Sequence, residues 1–349
     1  MRGVVFTGNS TLDLVEFPDP TPGPRDVVLE IKASGMCGSD LKLYRPPAGA
    51  AFAALGLKDS GEPVIAGHEP CGVVAAIGRD VDSRIVRVGD RVTLHHYQGC
   101  WSCPQCRTGW TQMCDRTATV YGVTGHGGHA PYMRAAVETV VALPDEVSFS
   151  TGAAISCGTG TAYGALLRLN VSARDTIAIV GQGPVGLSAT QLAAAMGAQV
   201  IAIDVSAERA QRAKEFGAAH VIDASTADPV EAVMALTRGK GAGKALDTSG
   251  AAAGRSAAVR GAAAWGSVCF VGEGGDVTLN VSPELIRKQL TIMGSWTVNS
   301  AAQADCVRFI ADHGLDVDKL FTDRWTLDQA DAAYKAFDKQ AAGKGVFVN

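Results

Sequence analysis

The chain of 349 residues is long enough for about two domains, since a domain usually has ~100 to 200 residues. Its 47% apolar and 19% charged residues can fill sizeable cores, which argues against a disordered protein. The net charge of −4 offers no broad basic surface, so the composition argues against nucleic acid or membrane as a partner and favours a small molecule.

The N-terminal segment gives no signal for export. It carries Asp13 and Glu16 and lacks a continuous apolar core, so we expect a cytoplasmic protein. In that reducing compartment nine cysteines are a poor disulfide framework, and the spacings of several of them suit metal binding better.

The first 150 residues contain short β-rich segments separated by glycine and proline. Apolar or alternating runs lie at residues 27–33, 73–77, 91–95 and 139–143. They predict an irregular β domain. The connection between Lys42 and Glu62 includes two prolines, and its length predicts a loop at the rim of a cleft.

From about Thr159 apolar runs alternate with helix-length, alanine-rich stretches. The runs lie at residues 177–180, 199–204, 220–223, 244–250, 267–272 and 290–295. This rhythm predicts an α/β unit, a doubly wound parallel sheet with crossover helices. The alanine-rich tract 251–264 predicts a plain helix. The amphipathic stretches 301–313 and 327–340 and the final apolar run predict a return of the chain onto the first domain.

A glycine-rich motif follows the first strand of this second half. GQGPVG comprises Gly181, Gln182, Gly183, Pro184, Val185 and Gly186, and it opens an alanine-rich helix. Asp204 ends the next strand. Glycines there let a pyrophosphate approach a helix N-terminus, and an acid at that distance accepts hydrogen bonds from ribose hydroxyls, so the pattern predicts a dinucleotide site. A tight turn that binds nothing is the alternative.

Asp204 also bears on the choice of dinucleotide. Its charge would repel a 2′-phosphate and no arginine follows it directly, which favours NAD over NADP. Arg209, five residues further on, is a candidate for a contact with the ribose.

Four cysteines occur within fifteen residues in the segment CWSCPQCRTGWTQMC. They are Cys100, Cys103, Cys106 and Cys114. Four thiolates so close together match a closed tetrahedral zinc site, which would stabilise a lobe with little core of its own. An iron–sulfur cluster is the rival, but the last spacing and the proline after Cys103 do not follow the ferredoxin pattern.

Three further candidate ligands lie far apart in sequence, each in a loop flanked by glycine. Cys37 in GMCGSDLK, His68 in AGHEPCG and Cys157 in AISCGTG could each be structural when considered singly. Together, two thiolates and one imidazole form an open zinc site that leaves a position for substrate. Next to a dinucleotide fold, such a site predicts hydride transfer from an alcohol.

These motifs occur in an order that resembles the zinc-dependent medium-chain alcohol dehydrogenases over essentially the whole chain. GMCGSD, GHEPCGVVAAIGRDV, the four-cysteine lobe and GQGPVG carry the resemblance. It implies that the catalytic zinc binds Cys37, His68 and Cys157, that Asp40 orients His68, and that Ser39 passes on the substrate proton. It also implies that Glu69 sits behind the metal and exchanges onto it.

The resemblance further implies a domain organisation and an assembly. A GroES-like catalytic domain would comprise residues 1–155 and 296–349, and a Rossmann NAD-binding domain would comprise residues 156–295. The enzyme would be a homotetramer or a homodimer.

The sequence departs from the family pattern at two places. Lys42 stands where many members carry a histidine that relays the proton, and we consider it a candidate for that relay, for a cofactor contact, or for an ordinary surface lysine. His96 falls where the family has a large apolar wall of the substrate pocket. It would either admit a hydroxylated or carbonyl-bearing substrate or simply bond to backbone.

We therefore expect an NAD(H)-linked zinc enzyme that interconverts an alcohol and its ketone or aldehyde. A dehydrogenase of a polyol, sugar or amino alcohol is the alternative within the superfamily, although Cys157 stands where polyol dehydrogenases often carry a carboxylate. A non-catalytic, nucleotide-binding redox sensor is the alternative from another class.

Overall fold

The computed structural model describes residues 1–54, 61–339 and 343–349. It divides into two compact units. The first comprises Met1–Cys157 and Asn299–Asn349, and the second comprises Gly158–Val298.

The first unit is mainly β. Its strands are β1 (Arg2–Gly8), β2 (Thr11–Glu16), β3 (Asp26–Gly35), β4 (Glu69–Ile77), β5 (Arg91–Leu94), β6 (Tyr97–Gln98), β7 (Thr119–Val120), β8 (Tyr132–Ala136) and β9 (Val140–Ala142). Its helices up to residue 157 are α1 (Leu41–Tyr44), α2 (Ala50–Ala54), α3 (Pro104–Arg107) and α4 (Phe149–Ile155). Short 3₁₀ turns lie at Thr111–Met113 and Val137–Thr139.

The second unit alternates helices and strands. It contains α5 (Gly158–Arg168), β10 (Thr176–Val180), α6 (Pro184–Ala195), β11 (Gln199–Asp204), α7 (Ala207–Arg212), β12 (His220–Asp223), α8 (Pro229–Leu236), β13 (Ala242–Asp247), α9 (Ala252–Arg260), β14 (Ala262–Phe270) and β15 (Thr291–Gly294). A 3₁₀ turn, Ala213–Phe216, and a π-helical turn, Ser282–Ile286, complete it.

The chain then returns to the first unit. This part contains α10 (Ser300–Asp312), a 3₁₀ turn at Val317–Leu320, β16 (Phe321–Trp325), a 3₁₀ turn at Leu327–Gln329, α11 (Ala330–Asp338) and β17 (Lys344–Val348). The predicted return is confirmed, since β17 pairs antiparallel with β3. The predicted amphipathic stretch 327–340 is helical through Asp338, and residue 340 lies outside the described residues.

One large sheet organises the first unit. Seven strands take part, in the order β16-β17-β3-β4-β5-β9, with β8 also paired to β3. Apolar side chains of β3 such as Leu29 and Ile31 are almost fully buried and pack with Val74, Val92 and Met133. Their burial anchors the strand ends from which the loops around residues 37 and 68 emerge.

The sheet of the second unit confirms the predicted doubly wound architecture. Six parallel strands are ordered β12-β11-β10-β13-β14-β15, and the neighbours of the first strand, β10, are β11 and β13. Small and branched side chains, including Ala178, Ile201 and Val268, fill its core. In such sheets ligands bind beyond the carboxyl ends of the strands at this point of reversal.

Two predicted elements need correction. The connection between Lys42 and Glu62 is not a loop throughout. It includes most of α1, and its alanine-rich part forms α2 because alanine favours helix, while residues 55–60 lie outside the described residues. The tract 251–264 is helical only through Arg260. Ala262 pairs with Ala242 of β13, so pairing in the sheet overrides the helix propensity of the alanines that follow. Among the described residues, no helix is both long and apolar enough to span a bilayer.

Candidate active site and metal centres

Four of the predicted metal ligands come together at the carboxyl end of β3. Cys37 follows that strand, His68 and Glu69 lie at the start of β4, and Cys157 follows α4. One ligand atom from each lies within 4.8 Å of the others. The Ser156 hydroxyl donates to the Pro70 carbonyl at 2.9 Å and so holds the end of α4 beside β4.

The two thiols of this cluster differ in acidity. Their sulfur atoms lie 4.0 Å apart. The hydrogen bond between them lowers the pKa of Cys37 well below its usual value and raises the pKa of Cys157. Cys37 is therefore the first of the pair to become a thiolate, which is the form that binds a metal.

Asp40 and Ser39 lie where the resemblance expects them. Asp40 is fully buried, its Oδ1 is 2.9 Å from His68 Nδ1, and its Oδ2 accepts from the Cys37 amide at 2.8 Å. Burial lowers the pKa of His68, but the charges and hydrogen bonds of Asp40 and Cys37 together raise it well above its usual value. The Ser39 hydroxyl is 3.2 Å from both Cys37 Sγ and His68 Nε2.

Glu69 is held by a buried lysine that the sequence analysis missed. Lys344 Nζ lies 2.6 Å from Glu69 Oε2 and also donates to the Met36 carbonyl at 2.8 Å. Burial disfavours the ammonium, yet the Glu69 charge raises the pKa of Lys344. Burial also raises the pKa of Glu69, to about 8. The Lys344 ammonium opposes this rise and stabilises the carboxylate form of Glu69 through a hydrogen bond to Oε1 at 2.8 Å.

His96 makes the backbone bond that was one of its two predicted roles. Its Nδ1 is 2.7 Å from the Ser156 carbonyl, which requires a proton on Nδ1 and leaves Nε2 an acceptor. The ring centroid is 5.2 Å from that of His68. Burial, reinforced by the His68 charge, lowers the pKa of His96 well below its usual value, so the ring is neutral.

Lys42 lies on an exposed face of α1, whose Leu41 and Tyr44 are buried. This position is compatible with each of the three roles considered for it.

The four-cysteine lobe forms a second cluster. Ligand atoms of Cys100, Cys103, Cys106 and Cys114 also lie within 4.8 Å of one another. Backbone amides donate to three of the sulfurs at 3.3 to 3.5 Å. A hydrogen bond from Ser102 lowers the pKa of Cys100 to about 6. Amide and hydroxyl donors aimed at sulfur favour thiolates.

The glycine-rich motif forms the turn between β10 and α6. Gly181 has φ of +90°, and a Cβ on Gly186 would lie 1.8 Å from the Gly181 carbonyl oxygen, so both positions require glycine. Gly183 caps α6, followed by Pro184 in its first turn, and a Cβ there would meet nothing within 4 Å. The open space in front of a twelve-residue helix fits a phosphate group.

Val185 is half-buried in the first turn of α6. Asp204 lies at the end of β11 and is only 5% exposed. Its carboxylate accepts from the amides of Gln182 at 2.6 Å and Ser206 at 2.8 Å, so it also orders the glycine-rich turn. Arg209 follows on α7, half-buried.

The donor sets fit two zinc ions per chain. Four thiolates suit a closed structural site, whereas Cys37, His68 and Cys157 suit an open one, with Glu69 alongside. The turn at Gly183 likewise fits a dinucleotide. Besides Lys344, two residues near the site were not predicted from the sequence: His129 and Tyr334 hydrogen-bond to each other, and Tyr334 donates to Asp40. Neither residue has a local sequence signal, since Tyr334 lies on the amphipathic helix α11 and His129 in the loop before β8.

Comparison with known proteins gives the same result. Residues 23–145 match the family model for the alcohol dehydrogenase GroES-like domain, and residues 184–312 match that for zinc-binding dehydrogenases. The predicted fold class, a GroES-like domain with a Rossmann-type parallel sheet, is thereby confirmed.

Three individual proteins illustrate the similarity. The uncharacterised zinc-type alcohol dehydrogenase-like protein YphC of Escherichia coli K12 is 40% identical over 99% of this chain and 98% of its own. The sorbitol dehydrogenase of Bacillus subtilis 168 is 29% identical over 95% and 92%. The structure of the alcohol dehydrogenase TADH from Thermus sp. ATN1 superposes with a TM-score of 0.89 at 28% identity, covering 100% and 99%.

Fold and metal centres thus define an oxidoreductase of the zinc-binding dehydrogenase class. The chain belongs to the zinc-dependent medium-chain alcohol dehydrogenase family.

Proposed function

We propose that the protein oxidises a secondary or substituted alcohol to its ketone or aldehyde, and catalyses the reverse reaction, by hydride transfer to and from NAD. The observation that carries this proposal is the open ligand cluster with a serine hydroxyl 3.2 Å from two of its ligands. A purely structural metal site has no need of an open position or of a hydroxyl beside it.

Two parts of the chain would share the reaction. The first comprises residues 1–155 and 296–349, and the second comprises residues 156–295. Cys37 and His68 of the first part and Cys157, at the start of the second, would hold zinc, which when bound would act as a Lewis acid on the substrate oxygen. Bound NAD would supply the hydride acceptor for the carbinol carbon, and the substrate hydroxyl group would lose its proton to the protein. Ser39 is the first acceptor for that proton, and Lys42 is a candidate for its onward transfer.

The glycine-rich turn and Asp204 would bind NAD. The open space at Gly183 supports a pyrophosphate at the N-terminus of α6. The Asp204 carboxylate, charged and held by two backbone amides, supports a ribose with free hydroxyls over one with a 2′-phosphate.

A polyol or sugar derivative is a second candidate substrate class, and His96 favours it. Its Nε2 is an acceptor on a ring 5.2 Å from that of His68, where an apolar side chain would offer none. A second hydroxyl on the substrate could donate to it. The sorbitol dehydrogenase relative gives this candidate further support.

A cytoplasmic homotetramer or homodimer completes the proposal. All nine cysteines are free, which fits a reducing compartment. Exposed apolar side chains in the second unit, Trp265 at 78% and Ile286 at 58% among them, support contact with a second copy.

The decisive experiment couples metal content to turnover. Purified protein is assayed for NADH formation with secondary alcohols, diols and sugar alcohols, and its zinc is measured by elemental analysis. Cys37→Ala should lose one zinc and all turnover, because it removes a ligand of the open site. Cys306→Ala is the matched control, since Cys306 is buried in α10 outside both clusters.

Wild-type protein with one zinc and no NADH formation on any alcohol would contradict the proposal and favour the redox sensor. Full turnover in Cys37→Ala would contradict the assignment of the site.

A further inference from the structure

Four buried polar side chains form a continuous chain that leads away from His68. Ser34 Oγ is 2.7 Å from His129 Nδ1, and His129 Nε2 is 2.8 Å from the Tyr334 hydroxyl. That hydroxyl donates to Asp40 Oδ2 at 3.0 Å, and Asp40 Oδ1 lies 2.9 Å from His68 Nδ1. All four are at most 1% exposed.

The chemistry of these groups fixes the direction of every hydrogen bond. The Asp40 carboxylate can only accept, so the Tyr334 hydroxyl donates its one proton to Asp40 and must accept a hydrogen bond from His129 Nε2. Burial lowers the pKa of His129 to about 4, so this ring is neutral and its Nδ1 accepts from Ser34. With Asp40 facing it, His68 carries its proton on Nδ1.

The consequence reaches the metal site. The ring is neutral when it binds a metal, and a proton on Nδ1 then leaves the lone pair on Nε2, the nitrogen on the side of Ser39 and Cys37. We propose that Tyr334 is a positioning residue for the catalytic metal, which acts through Asp40 to fix the tautomer and orientation of His68. This inference rests on the proposed function, because it presupposes zinc at the open site.

The backbone holds the far end of this chain in place. His129 donates its amide proton to the Ala66 carbonyl at 2.9 Å, and its own carbonyl accepts from Val4. The ring packs so closely against Gly67, whose φ is +91°, that a Cβ there would lie 2.3 Å from His129 Nδ1. The ring therefore has no room to turn away from Tyr334.

Tyr44 provides a matched control for a merely structural role. Its ring lies 5.4 Å from that of Tyr334 in the same apolar cluster, and it too is fully buried. Its hydroxyl has no hydrogen-bond partner among the described residues. Replacing either tyrosine by phenylalanine removes one buried oxygen, but only Tyr334→Phe breaks the chain to Asp40.

The test compares zinc release in Tyr334→Phe, Tyr44→Phe and Ser34→Ala with the wild type. Each protein is mixed with excess chromogenic chelator, and the amplitude and rate of each release phase are recorded. Cobalt replaces zinc in a parallel set, and its visible absorption spectrum reports the ligand geometry directly.

Tyr334→Phe should bind zinc at the open site about 10-fold less tightly, the lower end of the range for partners of a metal-ligating histidine, and should shift its cobalt spectrum. Ser34→Ala should change both readouts in the same direction but less. Tyr44→Phe should match the wild type, as should the release phase of the four-cysteine site in every variant. Equal release and spectra for Tyr334→Phe and wild type would overturn the inference, as would an equal effect in Tyr44→Phe.

A second comparison tests the route through Asp40. In an Asp40→Asn background, Tyr334→Phe should add little, because the link between the two is already altered. Full additivity would show that Tyr334 acts by another route. A wild type that lacks zinc at the open site would instead refute the proposed function itself, so the two failures are distinguishable.

Discussion

The buried Lys344–Glu69 pair makes a quantitative prediction about stability. Lys344 is 2% exposed and Glu69 is fully buried, so Lys344→Met leaves a carboxylate without its partner in the interior. Breaking one side of such a pair costs about 3–5 kcal/mol of unfolding free energy. The Met36 carbonyl also loses its donor, which contributes within that range.

A double variant separates charge from packing. Glu69→Gln combined with Lys344→Met removes both charges and retains much of the volume. We expect the double variant to lose only roughly 1–3 kcal/mol of unfolding free energy, chiefly because the Met36 carbonyl has no donor. Adding Glu69→Gln should therefore restore part of the stability that Lys344→Met removes. Lys335→Met is the control, since Lys335 forms an exposed pair with Asp331 on α11.

The assay is urea denaturation followed by tryptophan fluorescence, with equal zinc content verified in every variant. Lys335→Met should be indistinguishable from the wild type. A loss in Lys344→Met no greater than in Lys335→Met would refute the reasoning. So would a double variant as unstable as the single one, because the unpaired carboxylate would then not be the cause.

Four further outcomes are expected. Cys103→Ser should destabilise the four-cysteine lobe and lower the zinc content from two ions to one by elemental analysis, and iron in place of zinc would contradict it. Asp204→Asn should reduce kcat/KM for NAD and improve NADP relative to it, whereas a wild type that prefers NADP would be incompatible with the assignment. Lys42→Ala should lose the alkaline limb of the pH–rate profile if Lys42 relays the proton, or raise the KM for NAD if it contacts the cofactor; wild-type kinetics would exclude both roles. Because burial lowers the pKa of His129 to about 4, the unfolded chain binds a proton there that the folded chain excludes, and His129 should contribute roughly 3 kcal/mol to a fall in stability from about pH 6.5 to pH 4. His129→Gln should make this fall less steep in denaturation curves, and an unchanged slope would argue against it.

Local patterns predicted the second unit well. Each strand from β10 to β15 was expected within a few residues, because parallel strands buried on both faces appear as short apolar runs. The prediction for the end of the alanine tract was wrong for a different reason: Ala262–Ala264 have high helix propensity, and only the partner strand β13 shows that they belong to a sheet.

The immediate ligand set was also predictable, since cysteine and histidine in glycine-flanked loops are distinctive. The residues behind it were not. Lys344 is 275 residues from Glu69 and Tyr334 is 294 residues from Asp40. A lysine at the start of the final strand or a tyrosine on an amphipathic helix carries no local signal of such a partner, because the pairing of β17 with β3 and the packing of α11 decide which groups meet.

The position of β17 also implies an order of assembly during synthesis. The four cysteines from Cys100 to Cys114 are complete within fifteen residues and can acquire zinc as soon as that lobe leaves the ribosome. The open site is different. Glu69 pairs with Lys344 of β17, and Asp40 accepts from Tyr334 of α11, so both contacts form only after α11 and β17 have been translated and packed. Metal loading should therefore proceed in two stages, with the catalytic ion last. A nascent chain that stalls before residue 330 would carry the structural zinc without a finished catalytic centre.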